Sequence, residues 1–196
     1  MELTQKQTIK TIVLLLILTV VSQAIYTVLY QYAKDVPRIW IWGLEGLFFV
    51  FIATLAGAAL VQAKQYAIGF SAIFASAILN IVQVGIGLTQ FSPFREAAKN
   101  VAEIAPAAGA VVGLSFFIYN VAKIFLGIAA FVFGMALIKN GSKALGRLSV
   151  LLGLVAIVAN SIVMMFGRMA SVPSGATGVI ATLLLAMCLL KLNVNE

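Results

Sequence analysis

The chain is predicted to be an all-α integral membrane protein, a six-helix transmembrane bundle with both termini in the cytoplasm. Three observations carry that expectation. Six apolar stretches follow one another within 196 residues. The segments between them are too short to hold a soluble domain, so one transmembrane domain over residues 1–196 is expected. Hydrophobic residues make up 63% of the chain and charged residues 10%, far from globular composition. A helix needs about 20 predominantly apolar residues to cross the hydrocarbon core, which places the spans near 11–33, 39–62, 66–90, 108–138, 145–167 and 174–191. Strands are excluded because membrane strands alternate polar and apolar residues, and these runs do not.

Span 1 opens like a signal peptide, with Lys6 and Lys10 ahead of an apolar run and Ser22-Gln23-Ala24 as a small-x-small triplet. The run continues to Ala33, which favours an uncleaved span. Thr19, Gln23, Tyr26 and Tyr30 add polarity at helical spacing. Span 2 begins with Trp40 and Trp42, expected in the aromatic belt, and carries Glu45 and Ala53-x-x-x-Gly57. Span 3 places Ser76, Asn80, Gln83, Gly87 and Gln90 on one stripe. The connection over 91–106 reads as an interfacial amphipathic segment. Ser92 is its expected N-cap and Pro93 its first helical residue. Phe94, Ala97, Ala98, Val101 and Ala105 are opposed to Arg95, Glu96, Lys99 and Glu103.

Span 4 carries Asn120, Lys123, Gly127 and Ala130-x-x-x-Gly134, and span 5 carries Gly146, Ser149, Gly153, Asn160 and Ser161. The small-x-x-x-small pairs predict close packing of spans 2 and 4. Span 6 holds the chain's one cysteine, Cys188, which excludes an intramolecular dithiol. Residues 53–69 align with 130–146 without gaps, sharing Ala53/Ala130, Gly57/Gly134, Ala59/Ala136, Leu60/Leu137, Ala67/Ala144 and Gly69/Gly146. A parallel repeat of helical hairpins, spans 2–3 and 4–5, is therefore expected.

Cations set the orientation. Lys6, Lys10, Lys64, Lys139, Lys143, Arg147 and Lys191 fall on one side, against Lys34, Arg38, Arg95, Lys99 and Arg168 on the other. The richer side, with both termini, is expected to be cytoplasmic. The net charge of +7 is thus a topology signal that also favours anionic lipid, not a basic face for nucleic acid. Nothing resembles an organelle-targeting segment, so the bacterial cytoplasmic membrane is the expected location.

Glu45 and Lys123 are the ionisable residues far from span ends, and a charge there costs at least about 2.5–3.5 kcal/mol. They lie twelve and eleven residues before Gly57 and Gly134, hence each about 17 Å from its glycine at 1.5 Å per residue. An ion pair between spans 2 and 4 in the outward half is the natural expectation. One reading makes it structural, fixing helix register. Another makes it the centre of an outward polar pocket with Asn120, Asn80, Gln83, Gln23, Tyr26 and Tyr30, while a third leaves Glu45 solvated near the interface. With no histidine, the usual haem, zinc, copper and serine-hydrolase chemistry loses its ligands or base. No cofactor, metal or enzymatic activity is expected; Met164 and Met165 read as packing. Binding or transport of a small polar or anionic ligand is the leading expectation. The alternative is a non-catalytic structural or accessory subunit of a larger membrane complex, with lipids, other subunits or further copies of the chain as partners.

Overall fold

A computed structural model describes residues 3–33, 36–167 and 171–192. These residues are helical almost throughout: α1 (Gln5–Tyr32), α2 (Arg38–Gln62), α3 (Ala67–Thr89), α4 (Phe91–Asn100), α5 (Ala105–Lys139), α6 (Lys143–Phe166) and α7 (Ser174–Lys191). Single 3-10 turns at Lys64–Tyr66 and Ala102–Ile104 lead into α3 and α5. Six helical segments are long and apolar enough to cross a membrane, all but the short α4 supplying one. Two cations of the orientation argument, Lys34 and Arg168, lie outside the described residues.

Local chemistry accounts for the helix ends. Thr4 and Gln7 form a capping box at the start of α1: the Gln7 backbone N–H donates to Thr4 Oγ1 at 3.3 Å, and the Thr4 N–H donates to Gln7 Oε1 at 2.9 Å. α5 stops where Gly141 adopts φ +90, in the left-handed region that glycine enters without a Cβ penalty. The Ser142 N–H then donates to the Leu137 carbonyl at 2.9 Å, and the Gly141 N–H to Ile138 at 3.3 Å. This Schellman closure folds α6 straight back along α5.

Neighbours along the bundle run α1 with α2, α2 with α3, α3 with α5, α5 with α7, and α7 with α1, while α6 packs on α5 and α7. Five helices thus close a ring and α6 buttresses one side. Its half nearest the start of α1 and the end of α7 is filled by apolar side chains, among them Ile12, Leu16, Ile52, Phe70, Phe133 and Leu185. The outward surface is apolar as well, with Leu14, Phe51, Val61, Leu151 and Val158 all exposed. Such a surface avoids water only against lipid or another apolar chain.

Three expectations are corrected here. α2 does not pack closely on α5, because α1, α3 and α7 complete the ring between them. The small residues of α5 face α6 instead: a Cβ on Gly134 would lie 2.8 Å from the Gly146 carbonyl oxygen, and one on Gly127 2.9 Å from that of Gly153. Ser92 is not an N-cap. Gln90 keeps an αR conformation between α3 and α4, so Ser92 already lies inside the helix. The covered face of α4 is Phe91, Phe94, Ala97 and Ala98; Val101 has left the helix and is 44% exposed, with Ala105 also exposed.

Candidate polar site inside the helix ring

The half of the ring beside α4 holds the polar groups. Glu45 projects from α2, Gln23 from α1 and Lys123 from α5. Lys123 is 1% exposed and Glu45 7%. The Gln23 amide stands between them: its Nε2 donates to Glu45 Oε1 at 2.7 Å, and Lys123 Nζ donates to its Oε1 at 3.2 Å. The expected direct ion pair is therefore an amide-bridged one. α2 and α5 are not neighbours in the ring, and α1 brings the Gln23 amide between the two charges. The amide dipole is oriented as both charges require, donor toward carboxylate and acceptor toward ammonium. Without such partners, either charge would be costly to bury.

Two further residues shape the Lys123 end. The Tyr119 ring, one turn earlier on α5, has its centroid 5.0 Å from Lys123 Nζ, a cation–π distance. On α7, a Cβ at Gly178 would approach Lys123 Cδ to 2.9 Å and Cγ to 3.0 Å. Gly178 leaves the trough along which the lysine stem runs. Tyr119 was within reach of sequence reasoning, since positions four apart share a helix face. Gly178 had no local signal.

The other candidate residues take different places. Asn80 and Asn120 are buried, yet each turns its Nδ2 back on its own helix. Asn80 donates to the Ser76 carbonyl at 2.8 Å and Asn120 to that of Phe116 at 2.6 Å. Their Oδ1 atoms, like that of Asn160, are buried without a partner among the described residues. Gln83 donates to Ser115 Oγ at 3.3 Å and ties α3 to α5. Tyr26 belongs to an aromatic cluster, 5.2 Å from Trp42 and 6.0 Å from Tyr30 between centroids. Tyr30 itself is 67% exposed and does not enter the site.

Trp42 is half-buried. It turns inward, with Phe91 at 6.0 Å and the Arg38 guanidinium 5.1 Å from its ring centroid. A Cβ on Gly87 would run into that ring. Trp40, by contrast, is exposed. The Arg38, Trp42, Tyr26 and Phe91 cluster lies one turn from Glu45 on the α4 side. No family model matches the chain, and no curated protein or solved structure matches it significantly. The chemistry of the site must be read from its own groups. Its ammonium and carboxylate are bridged by an amide, and an aromatic ring lies against the ammonium. Among the described residues no three His, Cys, Asp or Glu gather at one point.

Proposed function

We propose that the protein is inserted in the bacterial cytoplasmic membrane with both termini inside, and that it binds or transports a small polar or anionic ligand. The ligand site is the outward half of the ring around Glu45, Gln23 and Lys123. The carrying observation is the asymmetry of the ring: a buried, bridged charge pair from three helices in one half, and a continuous apolar fill in the other. A bundle held together by apolar packing gains nothing from two buried charges, whose desolvation commonly outweighs their attraction. In this reading Lys123 meets the anionic group of the ligand, Glu45 is its counter-ion or accepts a proton, and Gln23 is displaced or re-paired on binding. This reading keeps α2–α3 and α5–α6 as a parallel repeat of hairpins, although only the second brings glycine backbones together among the described residues.

The test is thermal stabilisation of the purified protein by a panel of small carboxylates, phosphate esters and amino acids. At least one should raise the midpoint for wild type and fail to do so for Glu45→Gln and for Lys123→Met. Undiminished stabilisation of both variants would refute the reading. The accessory-subunit alternative rests on the apolar exterior, which lipid covers equally well. Additional polypeptides at fixed stoichiometry in native mass spectra would favour it.

A further inference from the structure

α4 and the first two turns of α5 enclose a groove of about 410 Å³. Arg95 and Lys99 stand on its α4 side, one turn apart, exposed, and without a carboxylate partner among the described residues. Ala105, Gly109 and Val112 stand on its α5 side, and Gly109 has open space where a side chain would be. No acidic side chain lines the groove; Glu96 and Glu103, the carboxylates of this connection, are not among its walls.

The groove adjoins the buried charges. Ala105, Val112 and Tyr119 recur every seven residues along one face of α5, and Lys123 follows one turn later on that face. The Tyr119 ring centroid is already 5.0 Å from Lys123 Nζ. Phe91 lines the groove and also meets Trp42 edge to face, 6.0 Å between centroids. The Arg38 guanidinium over Trp42 adds a cation beside that pair. Register gives the depth. α3 and α5 run antiparallel, with Phe70 against Phe133 and Gln83 against Ser115, so Gly87 lies level with Val111 of the groove. Trp42 packs on Gly87, and Glu45 is three residues deeper on α2, about 5 Å along the axis at 1.5 Å per residue.

We infer that this groove is the entry path to Lys123 and that it selects small anions. Arg95 and Lys99 gather the anion, and the Trp42 and Phe91 rings are the partition it passes to reach the ammonium. The inference deepens the proposed function and rests on its anionic ligand. Charge decides the occupant: two cations over a trough with no carboxylate concentrate anions and repel cations, and Lys123 continues the same sign along the same α5 face. A lipid chain would fill the trough whatever the charge of the rim.

The experiment labels single introduced cysteines in the purified full chain, in uncharged detergent, with an anionic sulfonatoethyl or a cationic trimethylammonioethyl methanethiosulfonate. Cys188 is buried and does not compete. Each rate is divided by that of a free thiol, and the ratio of the two reagents cancels any change in thiol ionisation. Val112→Cys should favour the anionic reagent about tenfold or more, and Arg95→Gln with Lys99→Gln should bring that ratio to about one. The same pair should slow anionic labelling of Tyr119→Cys, beside Lys123. Gly109→Trp keeps both cations and fills the trough, so both reagents should slow at Tyr119→Cys; Tyr26→Cys replaces that deep reporter if it does not fold. The control pair Lys143→Gln with Arg147→Gln, at the opposite end of the bundle, should change nothing. Equal rates at Val112→Cys, a ratio that survives the Arg95 and Lys99 changes, or a folded deep reporter that stays unlabelled or ignores Gly109→Trp would each overturn the inference. No ligand enters these readouts, so a failure of the entry path and a failure of the binding site are told apart.

Discussion

Gln23 is the residue on which the interior site turns, since it joins two buried charges that do not touch. Gln23→Leu removes both bonds at once. Leaving a buried partner unsatisfied costs about 1–3 kcal/mol, and a loss of that order is expected in unfolding by dodecyl sulfate in mixed micelles. Replacing Glu45 or Lys123 singly with leucine should destabilise comparably, because each change strands the other charge. The double replacement should regain most of that stability while remaining unable to bind any ligand the wild type binds. A double variant no more stable than its singles would show that the charges do not act as a pair. Gly178→Val tests the lysine trough: the added methyls would push the Lys123 stem aside. Ligand-induced stabilisation should fall, with an overpacking cost of about 1–3 kcal/mol.

Among the elements, α5 and α6 form the tightest pair, and their contact depends on absent side chains. Gly127 faces Gly153 and Gly134 faces Gly146, each close enough that a Cβ would strike the opposing carbonyl oxygen. Ser149 adds a bond across the same seam, its Oγ donating to the Ala130 carbonyl at 2.8 Å. Gly146→Leu should therefore separate the helices and lower stability by about 1–3 kcal/mol, read from the same unfolding curve. Gly57→Leu, whose Cβ would sit in ordinary contact 3.9 Å from the Phe74 ring, should cost much less. A larger loss at Gly57 would mean that the α2–α3 hairpin carries the closer packing. The small-residue spacing was visible in both hairpins. Which neighbour each glycine met was not, because spacing along one helix says nothing of the helix opposite.

For the whole molecule, the orientation proposed from Lys and Arg counts is open to a direct test. Cys188 is fully buried, so cysteines introduced at the two ends report alone. In intact cells Ser92→Cys should react with a membrane-impermeant maleimide. Lys143→Cys should react only after permeabilisation. The reverse pattern would invert the bundle and turn the polar half toward the cytoplasm.

Composition and span length determined the helical class and the six long apolar segments, because satisfying every backbone group in an apolar setting leaves little choice of secondary structure. Glu45 and Lys123 stood out for the same reason: a charge within such a segment is expensive wherever the helices go. Tertiary structure alone decided their relation. The pairing of α2 with α5 expected from small-residue spacing gave way to a ring in which Gln23 on α1 fills the gap, Gly178 on α7 makes room, and Asn80 and Asn120 turn back on their own helices. Helix order around a ring is set by packing between surfaces distant in sequence, and nearly all-round apolar helices carry little local pattern from which that order can be read.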